Sequence, residues 1–174
     1  MRKFAAIIII MLGLLPQAQA DWGQQYILGK AGLMDFDIND TDVDPMLSFG
    51  LLYGFGLTRE MSLEFEYNQG LIGGDYTADQ DEGKYGIWTM AGYGSYRLPL
   101  NDTMYVKIKG GLLYESINRD STAEVNQDDT ATGLGAAGGI GVGVLAGQVL
   151  TLELELTAID EDVLFLSFGA HYAF

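Results

Sequence analysis

Three pairs of like-charged residues in this chain of 174 residues are each separated by a single position. In a β-strand, residues i and i+2 point to the same side, so each pair would place two charges on one face. Such rows could form buried ion pairs or a path for protons or ions. The pairs are Glu64 with Glu66, Lys107 with Lys109, and Glu153 with Glu155.

The only histidine, His171, is the single candidate for a general base. Ser167 shares its strand face but lies about two pleats away, which is too far for a direct hydrogen bond. A hydrolytic site needs a base beside its nucleophile. The His-x-Ser pattern of deacylases is also absent, because Ala173 stands two positions after His171. We therefore expect that the protein is not an enzyme and needs no cofactor. A lipid-modifying enzyme is the least favoured of the alternative functions.

Acidic residues concentrate in four segments between the predicted strands. The run Asp35-Phe36-Asp37-Ile38-Asn39-Asp40 is similar to the start of an EF-hand loop, which makes Asp35, Asp37 and Asp40 weak candidates for metal ligands. The pattern fails, because position six is Asp40 rather than Gly and position twelve is Met46 rather than Glu. We expect no specific metal site, and at most loosely bound divalent cations shared with lipid headgroups. The sixteen carboxylates are those of Asp35, Asp37, Asp40, Asp42, Asp44, Asp75, Asp79, Asp81, Glu82, Asp120, Glu124, Asp128, Asp129, Asp160, Glu161 and Asp162.

The first twenty residues have the three parts of a secretory signal peptide in order. Arg2 and Lys3 are basic, residues 4–15 are apolar, and Ala18-Gln19-Ala20 fits a cleavage site. The apolar run is too short for a membrane-spanning helix. We predict that residues 1–20 are a signal peptide and that residues 21–174 form a single domain.

The predicted mature chain is strongly acidic. The full chain has 24 acidic and 9 basic residues, and losing Arg2 and Lys3 leaves 7 basic residues and a net charge of −17. This charge argues against nucleic acid as a partner. There is no cysteine, so neither disulfides nor thiolate metal sites can hold the domain together.

Apolar and small or polar residues alternate with a period of two through most of the chain, which predicts an all-β fold. In the fourth strand, Trp88, Met90, Tyr96 and Leu98 define one face, but Ile87 and Ala91 fit the opposite facing almost as well. The connections alternate between short turns and long segments at 35–45, 70–84 and 117–131. The eight predicted strands span about 25–34, 46–58, 61–69, 85–98, 104–116, 132–145, 149–158 and 164–174.

The same alternation fits either a soluble barrel with an apolar interior or a membrane barrel with an apolar exterior. Glycine dominates the face opposite the apolar rows, whereas a soluble barrel would expose Lys, Thr, Ser and Glu there. Short turns on one rim and long acidic segments on the other are typical of outer-membrane barrels. We predict an eight-stranded antiparallel up-and-down transmembrane β-barrel whose apolar rows face lipid.

The rows opposite the apolar ones would then line the lumen. We expect ion pairs between the lysines of strand five and the glutamates of strand seven, above the glycines of strand six. Such a network could be a gated ion path, but eight strands leave an interior that side chains fill, which favours a polar plug. The expected lumen network is Lys30, Glu64, Glu66, Arg97, Lys107, Lys109, Glu115, Glu153 and Glu155, with His171 nearby.

The chain resembles the small eight-stranded outer-membrane barrels of the OmpA/OmpX type over essentially all of residues 21–174. The segments that carry the resemblance are Leu63-Glu64-Phe65-Glu66-Tyr67, Tyr96-Arg97-Leu98-Pro99, Tyr105-Val106-Lys107 and Tyr172-Ala173-Phe174. The resemblance implies a bacterial outer-membrane location. It also implies that Tyr172 and Phe174 form the signal read by the barrel-assembly machinery. No peptidoglycan-binding domain follows Phe174, so the wall-anchoring role of full-length OmpA proteins is not expected.

We expect a monomeric, non-enzymatic protein that contributes to envelope structure and presents acidic loops for surface interactions. Its expected partners are outer-membrane lipid, lipopolysaccharide and the assembly machinery. The alternative function is a narrow channel for small solutes or cations. A wide porin is not expected, because open channels need about sixteen strands.

Overall fold

A closed barrel is the main feature of the computed structural model, which describes residues 25–36, 42–72, 74–78, 81–121, 129–160 and 163–174. Eight antiparallel strands pair with their neighbours in chain order, and the first strand closes the ring by pairing with the last. The predicted all-β fold and up-and-down barrel are therefore confirmed. The predicted signal peptide, 1–20, lies outside the described residues.

The described residues contain ten strands, of which all but β2 and β5 form the barrel. No helix within these ranges combines the length and apolar character needed to cross a membrane. The strands are β1 (Tyr26–Phe36), β2 (Asp42–Val43), β3 (Met46–Gly56), β4 (Met61–Gly70), β5 (Gly74–Ala78), β6 (Asp81–Pro99), β7 (Met104–Ser121), β8 (Asp129–Leu145), β9 (Leu150–Asp160) and β10 (Val163–Ala173).

The exposure of side chains is the reverse of that in a soluble barrel. Phe65 is 60 % exposed and Phe168 is 56 % exposed, whereas Glu64 and Lys107 are at most 1 % exposed. Large apolar side chains thus cover the outer wall, where lipid is the solvent that suits them. The soluble alternative, which needs apolar residues inside, does not fit this arrangement.

Three apolar residues that depart from the alternation of apolar and polar positions have a common explanation. Leu52, the apolar exception on its row, points inward and is fully buried beside Tyr26 and Leu28. On β6, Ile87 and Ala91 also point inward and belong to an apolar cluster. Their apolar character reflects packing inside the barrel rather than contact with lipid.

The barrel wall rises above the predicted strand ends on one side. β6, β7 and β8 continue into segments predicted to be loops, and β5 pairs with the first residues of β6. The prediction that 70–84 and 117–131 are long loops is therefore wrong in part, because both segments are partly strand. The inward side chains of Tyr85 and Ile87 explain part of this extension, because they give the taller wall a buried apolar face.

The interior consists of two layers rather than the polar filling that the sequence predicted. Near the rim with the long connections, an apolar cluster fills the barrel; we call it the apolar layer. Toward the rim with the short turns, which we call the short-turn rim, the lining becomes charged. The apolar layer contains Met34, Met46, Tyr85, Ile87, Ala91, Tyr93, Leu113, Ala137, Ile159, Val163 and Phe165.

Candidate functional site

Eight of the nine predicted lumen charges are buried inside the barrel next to the apolar layer. They come from five different strands, because each strand contributes only the residues of its inward row. The ninth, Glu115, lies farther along β7 from the short-turn rim and faces Gly133 of β8. The eight are Lys30, Glu64, Glu66, Arg97, Lys107, Lys109, Glu153 and Glu155, and we call them the ion-paired layer.

The ion-paired layer is one connected network. Lys30 lies 2.8 Å from Glu66 and 2.9 Å from Glu155. Lys109 lies 2.7 Å from Glu66 and 2.8 Å from Glu155, so these four groups form a closed square. The square thus links β9, through lysines of β1 and β7, to Glu66 on β4 at the opposite side of the barrel.

Lys107 connects this square to the remaining charges. Its ammonium lies 2.5 Å from Glu153, 2.5 Å from Glu155 and 3.6 Å from Glu64. Glu64 in turn lies 3.4 Å from Arg97. The network has four cations and four carboxylates, so it is formally neutral, although the whole chain has a net charge of −15. Neutrality of this kind is what makes buried charge tolerable.

Glycines of β8 provide the space in which the long side chains meet. Gly141 lies between Lys107 on β7 and Glu155 on β9, so their ion pair crosses directly over a residue without a side chain. In the neighbouring row, Gly143 lies between Tyr105 and Glu153. A Cβ atom at position 143 would collide with the Tyr105 ring. We call Gly139, Gly141 and Gly143 the glycine floor. The head groups of the two lysines on β7 and the two glutamates on β9 meet above it, as the sequence predicted.

The Tyr–Gly–Glu row on β7, β8 and β9 recurs on β1, β3 and β4. There, Gly54 lies between Tyr26 and Glu64, and its Cβ would collide with the Tyr26 ring. The Tyr26 hydroxyl donates a hydrogen bond of 2.5 Å to Glu64. In the other copy, the Tyr105 hydroxyl donates one of 2.6 Å to Glu153. Each tyrosine thus leans over a glycine to reach a carboxylate.

Arg97 stands between the two tyrosines. Its guanidinium carbon lies 4.4 Å from the Tyr26 ring centroid and 5.6 Å from that of Tyr105. Both distances are within the range of cation–π attraction. Arg97 therefore closes the ion-paired layer at the short-turn rim.

Tyr26 and Tyr105 were not among the site residues predicted from the sequence. A signal for them exists, because Tyr26 precedes Lys30 by four residues and Tyr105 precedes Lys109 by four residues. Each tyrosine therefore shares the inward row of a predicted lumen lysine. Pairing each with a carboxylate on a third strand, however, required the register across the intervening glycine.

His171 and Ser167 both point inward on β10, but they have different neighbours. The His171 ring stacks on Tyr26 with a centroid distance of 4.3 Å. The Ser167 hydroxyl donates a weak hydrogen bond of 3.5 Å to the backbone carbonyl of Glu155. In the described contacts no hydrogen bond joins the two residues, so they do not form a nucleophile and base pair.

The weak metal candidates are not brought together in the described structure. Asp35 is exposed near the end of β1, and Asp37 and Asp40 lie outside the described residues. Within the described ranges, no group of three or more His, Asp or Glu side chains is arranged to hold a metal ion.

The two residues of the predicted assembly signal lie at the short-turn rim. Tyr172 points outward and is 54 % exposed, and its ring centroid lies 6.4 Å from that of Phe174. The Phe174 amide donates a hydrogen bond of 3.0 Å to the Gln25 carbonyl, which joins the two ends of the barrel sequence. Their role in assembly remains a prediction.

Comparison with known proteins agrees with this architecture. The family model of the outer membrane protein beta-barrel domain matches residues 4–174, so the chain belongs to that family. Membership confirms the resemblance stated from the sequence and implies location in the bacterial outer membrane. No curated protein matches the chain by sequence.

Solved structures of small outer-membrane barrels share the fold. Neisserial surface protein A is 12 % identical, with a TM-score of 0.63 over 86 % of this chain and 97 % of that one. OprG from Pseudomonas aeruginosa is also 12 % identical, with a TM-score of 0.62 over 90 % and 100 %. Ail, the attachment invasion locus protein of Yersinia pestis, solved with the heparin analogue sucrose octasulfate, is 13 % identical, with a TM-score of 0.56 over 86 % and 96 %. At these identities the similarity shows the fold alone.

Proposed function

We propose that this protein is a sealed, non-enzymatic structural barrel of the outer membrane that presents an acidic surface to the exterior. The single observation that supports the proposal best is the double filling of the lumen. The ion-paired layer and the apolar layer lie one above the other, so a solute would have to break both. Cleavage of residues 1–20 during export is part of the same proposal.

The ion-paired layer would resist opening because its charges satisfy each other. Removing one partner of a buried ion pair leaves an uncompensated charge, at a cost of about 3–5 kcal/mol. The apolar layer adds a second barrier, because a hydrated ion would lose its water shell among side chains such as Phe165 and Met34. Both features favour a plug over the narrow channel that the sequence left as an alternative.

Planar-bilayer recording tests the sealed lumen. The purified full-length mature protein should show no steady conductance after it inserts into the bilayer. Protease protection would verify the insertion independently. The matched control is a large open porin inserted under the same conditions. Steady, cation-selective conductance from the wild-type protein would contradict the proposal and establish the channel.

The outer surface supports an interaction with cationic rather than anionic partners. The outer connections of outer-membrane barrels face the exterior, and here the four of them contain sixteen carboxylates. The strands of the taller wall include Asp75, Asp81 and Glu82. Sucrose octasulfate, the heparin analogue in the Ail structure, is a polyanion. The acidic surface of the present protein would repel such a ligand.

Binding to a basic surface tests this part of the proposal. Cells that display the protein should adhere to polylysine-coated plates more strongly than cells without it, and the difference should disappear in high salt. A variant with Asp42→Asn, Asp44→Asn and Asp75→Asn should adhere less, whereas a Glu60→Gln variant at the opposite rim should not change. Unchanged adhesion of the triple variant would contradict a role for these carboxylates.

Divalent cations would also connect this surface to lipopolysaccharide, whose phosphates are anionic as well. A cation held between two anionic groups needs no preformed protein cage. We therefore propose loose, shared binding in the membrane, with the barrel acting as a monomer. Calorimetric titration of the detergent-solubilised protein with Ca²⁺ should give no saturable heat, and saturation would instead indicate a specific site.

A further inference from the structure

A pocket of about 300 Å³ opens at the short-turn rim, on the opposite side of the ion-paired layer from the apolar layer. Two turns form its mouth, with Arg59 and Glu60 from one and Asn101 and Asp102 from the other. Arg97 and Tyr105, both buried, complete the lining from inside the barrel. In barrels of this class the short turns face the periplasm, so the pocket would be open to periplasmic solutes.

Arg97 has a donor to spare in this lining. Its Nη1 donates to Ser62 at 3.1 Å and its Nη2 to Glu64 at 3.4 Å, whereas Nε has no hydrogen-bond acceptor among the described residues. The residue is only 4 % exposed, so water does not readily compensate for the missing bond. Nε itself is enclosed, so a carboxylate oxygen in the pocket would pair with it only after the guanidinium rotates toward the pocket, and the pair would then be charge-assisted.

The mouth of the pocket has the complementary charge. Asp102 is exposed on its turn, and no hydrogen bond or ion pair engages its carboxylate in the described structure. Glu60 is a second carboxylate at the mouth, and its Oε2 accepts only a long hydrogen bond of 3.3 Å from Thr58. A simple anion would be repelled by these carboxylates, and a simple cation would be repelled by the arginines.

We propose that this rim pocket binds a compact zwitterion with a carboxylate and a nearby ammonium group, as in a free amino acid or a short peptide. The carboxylate would be held by Arg97, and the ammonium by Asp102 with Glu60. The volume accommodates one or two residues. Binding takes place from the periplasmic side and involves no passage through the sealed lumen, so it is independent of the proposed structural function.

Titration of the full mature protein in detergent micelles tests the ligand class. Alanine and dialanine distinguish a free amino acid from a peptide as the preferred source. N-acetylalanine lacks the ammonium group and alaninamide lacks the carboxylate. We expect saturable chemical-shift changes at the two turns with alanine or dialanine. The two blocked compounds should bind about fivefold more weakly or worse, the size expected for one lost ion pair. Equal binding of all compounds, or no saturable binding of alanine and dialanine, would overturn the proposal.

Variants separate the site from the bulk charge of the protein. Asp102→Asn should weaken alanine binding by roughly threefold to fivefold and leave the weak binding of N-acetylalanine unchanged. Asp44→Asn removes the same charge at the opposite rim and is the matched control. Arg97→Lys should weaken alanine binding by at least about tenfold if the variant folds, because lysine lacks the guanidinium fork. Equal effects of the Asp102 and Asp44 variants would show that only net charge matters and would overturn the proposal.

Discussion

The ammonium of Lys107 lies 2.5 Å from a carboxylate oxygen of Glu155, and the residue between them in the sheet is Gly141. The two residues belong to strands that do not pair with each other, since β8 separates β7 from β9. The missing side chain of the middle strand is therefore what lets the ion pair form. The same need for space explains why the inward positions 139, 141 and 143 of β8 are all glycine.

Replacing a floor glycine should destabilise the barrel. Gly143→Ala would force its Cβ into the Tyr105 ring and strain the bond from Tyr105 to Glu153. We expect a loss of about 1–3 kcal/mol in the free energy of unfolding, as for other overpacked sites. Urea unfolding in micelles measures it. Gly110→Ala, which meets open space on the outer wall, is the matched control and should be nearly neutral. Similar losses for both variants would contradict the proposal that the inward glycines provide space for the buried side chains.

Breaking the centre of the ion-paired layer should cost more than removing a surface charge. Lys107→Met leaves Glu153 and Glu155 buried without this partner, and we expect a loss of about 3–5 kcal/mol. Adding Glu153→Gln should restore part of the loss, which a double-mutant cycle would measure. Lys84→Met, at an exposed position, should be nearly neutral. Additive effects of the two lumen changes would show that the groups are not coupled.

Two phenylalanines three residues apart on β10 should respond differently to the same change. Phe165 is fully buried in the apolar layer, whereas Phe168 points toward lipid. Phe165→Leu should leave a cavity and cost about 1–2 kcal/mol, while Phe168→Leu should be close to neutral because lipid chains adapt to its shape. The shift of the thermal transition on a heat-modifiability gel compares them. A larger loss for the outward residue would contradict the proposed filling of the lumen.

Removing Phe174 should impair insertion in cells more than it impairs the folded barrel. Its described backbone contact is one hydrogen bond to Gln25 at the rim, so the strand pairing of β10 would remain. We expect a lower amount of heat-modifiable protein in the outer membrane. The stability of protein refolded in micelles should be nearly unchanged. Phe174→Trp, which keeps an aromatic end, is the control. Equal loss in cells and in micelles would indicate a structural role instead.

The sequence by itself determined the number of barrel strands, the closed barrel and most strand facings, but not the short strands β2 and β5. Alternation with a period of two is a local property, and rows such as Leu63, Phe65 and Tyr67 against Glu64 and Glu66 express it within one strand. It also placed the charges on inward rows, because their positions follow from the same alternation. Even the glycine floor could be expected from the sequence. An up-and-down barrel places the glycine-rich strand between the lysine strand and the glutamate strand, and no further information on register was needed.

The tertiary structure decided which charges meet and what fills the rest of the lumen. Lys30 and Glu155 are separated by 125 positions in the chain, so their contact depends on barrel closure and register rather than on any local pattern. The apolar layer was missed because inward apolar residues such as Phe165 and Ile87 look like lipid-facing ones when only composition is read. Burial inside and exposure to lipid both favour apolar side chains, and only the position in the closed barrel distinguishes them.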